Sequence, residues 1–441
     1  MEKDLISIIK EAGIVGAGGA GFPTHVKLNT KADYLIINGA ECEPLLRVDQ
    51  QLMAKESRKL LDAIDLVKKY IGAKVAIIGL KSKYKKAIEN IETIINEYEN
   101  IKMHKMPNFY PAGDEQVLVY ETIKKIIPEG SIPLSVGAVV LNVETLLNIY
   151  EAYYNYLKVT NKYVTVTGDV KEKITVNVPI GISIKEVIDL AGGSNLDEFV
   201  VINGGPMMGK IVSLDDVITK TTKGLIVLPK EHSLVKSINK NISQTLKEAK
   251  TSCMHCSLCS EICPRNLLGH NINPHKLIRI ASYSSICDTK SSLTTAFLCC
   301  ECRLCEYACI MNLQPWKLHS NLKKQMSAKN IKNDNNNTPI DVHPFREYKR
   351  YPVSKLISKL DLSKYDKNAE ITNIYKNFTK VKILLNQHIG ISATPIVKKG
   401  DKVLKGQLIA FTKEDKLGTS IHSSIEGLVK EVNDKYVLIE S

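Results

Sequence analysis

Cys253-Met254-His255-Cys256-Ser257-Leu258-Cys259-Ser260-Glu261-Ile262-Cys263-Pro264 and Cys299-Cys300-Glu301-Cys302-Arg303-Leu304-Cys305-Glu306-Tyr307-Ala308-Cys309 decide how this chain is read. Each has the form C-x2-C-x2-C-x3-C. Three thiolates two residues apart fold around one 4Fe–4S cube, while the fourth cysteine of such a run reaches across to a second cube. A zinc ribbon needs only paired C-x2-C knuckles and gives no reason for a third and fourth cysteine at fixed spacing, twice. A disulfide framework suits small secreted domains. This chain has 441 residues and starts Met1-Glu2-Lys3-Asp4, without the apolar run of a secretory leader.

The spacing is similar to that of bacterial two-cluster ferredoxins, and the resemblance implies crossed ligation. One cluster would take Cys253, Cys256, Cys259 and Cys309, the other Cys299, Cys302, Cys305 and Cys263. Ile310 stands where proline would follow the last cysteine, but that position shapes the chain and is not a ligand. Cys300, beside a ligand, and Cys287, in the spacer between the runs, read as small buried hydrophobes. A protein holding two clusters moves single electrons, so their source and destination become the question.

Composition bounds the answer. The length suits two to four domains, and 44% apolar residues is ordinary for a globular protein. No stretch reaches the roughly 18 uninterrupted apolar residues of a membrane helix, so the chain reads as soluble or peripheral. The net charge of +13 comes from lysines spread along helix faces, not from one aromatic-interleaved patch, which argues against nucleic acid as a partner. Many thiols and unprotected clusters imply a reducing, cytoplasmic setting.

The pattern is that of a multidomain α/β protein. Residues 1–157 alternate helix and strand, with buried parallel strands at Tyr34–Asn38, Val75–Gly79 and Val139–Val143 and a helix over Tyr84–Tyr98, as in a Rossmann-like domain. Residues 158–230 become β-rich, with a half-buried strand at Ile174–Val178, a short helix at Ile184–Leu190 and a strand at Phe199–Ile202. A helix with few breakers, Ser233–Lys250, leads into a cysteine region spanning 231–326, whose long spacer between runs is expected to include helix. Residues 327–378 read as a linker, the Lys/Asn-rich part to 340 solvated. Residues 379–441 are short strands with turns at Lys399-Gly400-Asp401 and Lys405-Gly406, a small barrel or sandwich.

Gly16-Ala17-Gly18-Gly19-Ala20-Gly21-Phe22-Pro23 is the second informative segment. Glycines let backbone N–H groups come close to a phosphate, although alone such a loop is also a simple tight turn. Here Lys27 follows, and Asn38-Gly39-Ala40-Glu41-Cys42-Glu43-Pro44 lies at the carboxyl end of a strand, where open α/β sheets bind ligands. Tyr110 to Glu115 and Asn142 to Thr145 complete the set. These four segments resemble the flavin and NADH site of the FMN-bearing subunit of respiratory complex I, and more closely the RnfC family of electron-transfer subunits. The resemblance implies that Gly16, Gly18, Gly19, Lys27, Asn38 and Asn142 cradle FMN and its phosphate. It further implies that Phe22 stacks on the nicotinamide side and that Glu41 and Glu43 line the NADH pocket. Gly113, Asp114 and Glu115 fall beside the flavin, with Thr145 in the last segment. Leu141 departs from the respiratory subunit, which has a second asparagine there, and Cys42 reads as structural.

The likeness extends over nearly the whole chain. Residues 158–230 are similar to a β-grasp (SLBB) domain, in which Gly204-Gly205-Pro206-Met207-Met208-Gly209 is expected to be packing and docking surface, with the methionines filling a core. The tail is similar to a barrel-sandwich hybrid domain. In RnfC that barrel precedes the flavin domain, whereas here it closes the chain, as it does in PduS-type cobalamin reductases of bacterial microcompartments. Lys416 sits at roughly the spacing of a lipoyl-carrier lysine, yet its neighbours Leu417-Gly418 fit the barrel that carries no prosthetic group. The expectation is an NADH-dependent oxidoreductase holding FMN and two 4Fe–4S clusters and passing electrons to a corrinoid. A corrinoid-dependent enzyme, an adenosyltransferase or a shell protein are the implied partners. The alternatives are an RnfC-like NADH-accepting subunit of an electron-transport or amino-acid-reductase system, and a non-enzymatic iron–sulfur adaptor.

Overall fold

A computed structural model describes residues 4–283, 293–374, 376–413 and 415–441. Cys287 lies outside the described residues.

The expected multidomain α/β architecture is present. In the N-terminal domain four parallel strands run in the order Ile101–Met106, Val75–Lys81, Tyr34–Gly39 and Ala138–Asn142. Apolar runs such as Leu35-Ile36-Ile37 are fully buried because helices cover both faces of the sheet. Ser57–Ile71 and Val143–Tyr154 pack on one side, within the largest apolar core. The helix expected over Tyr84–Tyr98 is Lys85–Glu92 followed by a short 3₁₀ turn.

A six-stranded sheet forms the second domain, in the order Glu370–Ile371, Ile174–Pro179, Asn161–Gly168, Gly224–Pro229, Phe199–Asn203 and Lys210–Val212. Its helix, Ile184–Leu190, begins in a capping box between Ser183 and Glu186. The single helix expected over Ser233–Lys250 is two, Ser233–Asn239 and Ile242–Ser252. Asn241 accepts the Gln244 backbone N–H and so starts a new helix inside an unbroken apolar pattern. The cysteine region is built from short helices, with Pro264–Leu267 and Pro274–Tyr283 in the spacer and Pro315–Ala328 closing it.

Residues 329–338 are mostly exposed and without regular structure, as their composition implies. The rest of the expected linker is folded. Tyr351–Pro352 pairs antiparallel with Phe109–Tyr110, Val353–Lys359 is a helix, and Glu370–Ile371 extends the second sheet. Arg346 and Arg350 both pair with the buried Glu121 of the flavin-type domain. At the C-terminus, a four-stranded and a three-stranded antiparallel sheet enclose a core including Val381, Ile383, Ile409 and Val437. Lys220 ties three domains together, its buried Nζ donating to the carbonyls of Gly13 at 2.7 Å and Ser420 at 2.8 Å.

Candidate functional site

The sheet creates its own crevice. Tyr34–Gly39 lies between Val75–Lys81 and Ala138–Asn142, so the chain leaves it in opposite directions, and ligands bind where a parallel sheet divides in this way. Asn38 and Asn142 are register partners at that edge. Leu141, one residue earlier, faces the core at 4% exposure, so the single asparagine at 142 is the one presented. Three helix N-termini converge here. Asp114 caps Glu115–Ile123, Asn142 caps Val143–Tyr154, and Glu41 accepts the first amides of Val48–Lys55 from Asp49 at 2.9 Å and Gln50 at 3.3 Å. Their dipoles make the crevice favourable for an anionic group.

A cavity of about 630 Å³ fills this crevice, within the usual range for a cofactor site. Gly18, Gly19, Asn38, Glu41, Glu43, Gly113, Asp114 and Asn142 line it. A Cβ at Gly19 would meet nothing within 4 Å, whereas one at Gly113 would come within 3.0 Å of Asn38 Oδ1 and Cys42 Sγ. Open space thus stands beside Gly19, while Gly113 is packed against the Asn38 and Cys42 side chains. The other expected residues stand outside the wall and shape it. The Gly16 N–H closes the loop on the Phe22 carbonyl at 2.9 Å. Thr145 Oγ1 accepts the Ala17 N–H at 3.0 Å, and Lys27 pairs with Glu115 at 2.7 Å in partly exposed positions.

The remaining wall comes from segments not expected there. The β-grasp turn contributes Asn203, Gly204, Gly205, Met208, Gly209 and Lys210. Met207 is buried as a core residue, but Met208 is 53% exposed and faces the cavity. Glu43 reaches across, its Oε2 accepting the Met207 N–H at 2.9 Å, and a Cβ at Gly205 would overlap that oxygen. The run of glycines in 204–209 was the available signal of close approach. Asp49 and Lys223 were invisible in sequence because their ion pair joins two domains. Asp49 Oδ2 also accepts from Asn142 Nδ2 at 2.9 Å.

Charge is held in this wall without solvent. Burial, and then the neighbouring Asp49, push the Glu41 carboxyl above the usual range. Burial pushes Glu43 up to about 7 and the Cys42 thiol up to about 11. Burial opposes the Lys223 ammonium, yet Asp49, Glu41 and Glu144 outweigh it and its pKa is raised. Glu43 Oε1 and Asp49 Oδ1 are buried without a hydrogen-bond partner. Unpaired carboxylate oxygens in a cofactor-sized cavity fit a ligand that carries N–H or O–H donors, as a flavin and a ribose do.

The cysteines gather into two quartets. Cys253, Cys256, Cys259 and Cys309 line one small cavity, with His275, Ile278 and Pro315. Cys263, Cys299, Cys302 and Cys305 line another, together with a fifth cysteine, Cys300, and Arg303, Trp316 and His319. Among the described residues no three His, Cys, Asp or Glu side chains converge tightly enough to chelate a single metal ion. Zinc thiolates at about 2.3 Å from the metal would have to do so. Cavities into which several thiols of the C-x2-C-x2-C-x3-C runs converge fit cubane clusters. Cys300 and Cys302 also line the flavin-sized cavity, so the second quartet abuts it. Arg265, next to Cys263, donates to Asp114 at 2.8 Å across that boundary, and the buried Tyr110 hydroxyl donates to the Cys302 carbonyl at 2.9 Å. Burial lowers the His319 pKa to about 4.

These domains and cavities define an FMN-binding, dicluster iron–sulfur flavoprotein. Residues 9–151 match the Nuo51 FMN-binding domain and 252–314 a 4Fe–4S dicluster domain. Residues 163–210 match the SLBB domain and 357–441 the RnfC barrel sandwich hybrid domain. The chain belongs to the PduS family: it is 41% identical to "Cobalamin reductase PduS" of Citrobacter freundii over 98% of this chain and 95% of the relative. Identity to the Salmonella typhimurium protein of the same name is 39% over the same shares. A component of the Na(+)-translocating ferredoxin:NAD(+) oxidoreductase complex of Acetobacterium woodii is 34% identical over 62% of this chain and 60% of the relative. No helix among the described residues is long and apolar enough to cross a membrane.

Proposed function

We propose that this chain is a cobalamin reductase that draws electrons from NADH and delivers them through two 4Fe–4S clusters to a corrinoid. The observation that carries the reading is continuity: Cys300 and Cys302 belong both to the flavin-sized cavity and to the second thiol cavity. Bound FMN supplies the chemistry that side chains lack, taking two electrons from a dinucleotide and releasing them singly.

The chain's own residues bind, orient and exclude water. Gly18, Gly19 and Gly113 would line the ring, Asn38 and Asn142 would offer amides at the sheet edge, and the three helix N-termini would favour its phosphate. Gly16, Thr145 and the Lys27–Glu115 pair hold the loop from behind. Phe22 fixes the loop through its carbonyl. Glu41 and Glu43 would line the dinucleotide side, and Asp114 ties the cavity wall to the thiol region through Arg265. Cys253, Cys256, Cys259 and Cys309 hold one cluster, and Cys299, Cys302, Cys305 and Cys263 the other. No general acid is required. The partners implied are NADH and a corrinoid, presented free or by an adenosyltransferase. In a microcompartment a shell protein is the further partner.

Anaerobically reconstituted protein with FMN should bleach its clusters on NADH addition and reduce cob(III)alamin. Failure to retain FMN, or clusters that stay oxidised under NADH, would overturn the proposal. The similarity to the ferredoxin:NAD(+) oxidoreductase component favours one second reading, an NADH-accepting part of a larger complex. That reading predicts cluster bleaching without direct corrinoid reduction.

A further inference from the structure

His319 lies on the helix Pro315–Ala328 and is 0% exposed. Its ring lines the second thiol cavity together with Cys263, Cys299, Cys302 and Cys305. Neither ring nitrogen has a partner at hydrogen-bonding geometry in the described protein. The Pro274 backbone carbonyl is near enough to oppose part of the effect of burial on the ring, but neither ring nitrogen meets it at hydrogen-bonding geometry. Buried polar groups in folded proteins are paired, and an orphan needs a reason. An imidazole carries at least one N–H in either protonation state. Cluster sulfurs carry negative charge and accept N–H donors.

We propose that His319 donates its ring N–H to a sulfur of the cluster held by Cys263, Cys299, Cys302 and Cys305, and so raises that cluster's reduction potential. The inference rests on the ligand sets proposed above. Added electrons are stabilised by donors to the sulfurs, and the axial and outer partners of a cluster are its main tuning elements. The first thiol cavity has no equivalent among the described residues. Its His275 is already tied to Ser260 Oγ at 2.7 Å and partly exposed, and His255, 3.6 Å from Cys253 Sγ, is exposed to water. The two clusters, alike in spacing, are thereby given different potentials, with the buried one better able to accept an electron from the adjoining cavity.

The test is an anaerobic redox titration followed by electron paramagnetic resonance on the full, reconstituted chain, with His319→Leu and His319→Gln. His319→Leu should lower one cluster midpoint by about a tenfold change in its reduction equilibrium, which is about 59 mV for one electron. The other midpoint and the iron content should stay unchanged. His319→Gln, which keeps an N–H donor, should recover most of the shift. Unshifted midpoints at full iron content, or a shift only in the other cluster, would overturn the inference. Absence of both cluster signals from the parent chain would instead overturn the ligand sets. Should His319→Leu fail to hold its clusters, electron–nuclear double resonance of the unaltered chain decides. An exchangeable proton and a histidine ¹⁵N coupled to the reduced buried cluster support the bond. A coupled nitrogen with no exchangeable proton, or no coupling, contradicts it.

Discussion

The two cysteine quartets have the same spacing and opposite surroundings. Around the first, Cys256 is exposed, and Met254 (65%), Ile310 (58%) and Met311 (41%) present apolar surface to solvent. In the second, Cys263, Cys302 and Cys305 are each 8% exposed, Trp316 and His319 close the wall, and the flavin-sized cavity begins on the other side of Cys302. Identical ligand chemistry is thus placed once facing inward and once facing outward. On the proposed function, burial rather than ligand identity gives each quartet its part, the inner one receiving electrons and the outer one giving them up.

The largest effect should come from separating the quartets. Cys263→Ser should remove the inner cluster although it lies in the outer cluster's run, and Cys309→Ser should do the reverse. Iron analysis should fall from about eight to about four per chain in each variant. Loss of the outer signal from Cys263→Ser would break the crossed assignment. Next is Asp114→Asn, which leaves the Arg265 guanidinium beside the inner quartet without its carboxylate. Removing one partner of a buried pair costs about 3–5 kcal/mol. Thermal denaturation should therefore drop steeply, and the inner cluster should be the first lost on heating.

Gly205→Ala should act on the flavin cavity alone. The added Cβ overlaps Glu43 Oε2, and overpacking of this kind costs about 1–3 kcal/mol. FMN or NADH affinity should fall by tenfold or more in calorimetry, with both cluster signals intact. The smallest effect is in pH. Glu43 is raised from 4.5 to about 7 by burial. A carboxyl whose folded pKa is raised contributes stability that is full below pH 4.5 and lost as pH rises through about 7. Glu43→Gln should flatten that decline in unfolding free energy between those limits, by at most about 3 kcal/mol. A decline unchanged in the variant would place its cause elsewhere.

Features written in contiguous sequence were the legible ones. The cysteine spacings, the glycine loop at 16–21 and the strand ends at Asn38 and Asn142 each announce themselves within a dozen residues, and the four domains follow from them. What escaped depends on distant residues meeting. The strands Tyr351–Pro352 and Glu370–Ile371 are two residues long and exist only because Phe109–Tyr110 and Ile174–Thr175 offer ladders. Residues 204–209 read as packing and docking surface, not as cavity wall, because nothing local says that Glu43 lies against Gly205. His319 carries no motif at all. Its place beside the inner quartet is set by the packing of Pro315–Ala328, which only the folded chain reveals.

The account turns on direction, from the flavin cavity to the inner quartet and then to the outer. Rapid mixing of NADH with FMN-loaded protein, frozen at intervals and read by electron paramagnetic resonance, tests it in Cys263→Ser and Cys309→Ser side by side. With Cys309→Ser the remaining inner cluster should be reduced as fast as in the unaltered chain, while corrinoid reduction is lost. With Cys263→Ser the remaining outer cluster should stay oxidised while the flavin is reduced. Reduction of that outer cluster at the unaltered rate would contradict the account.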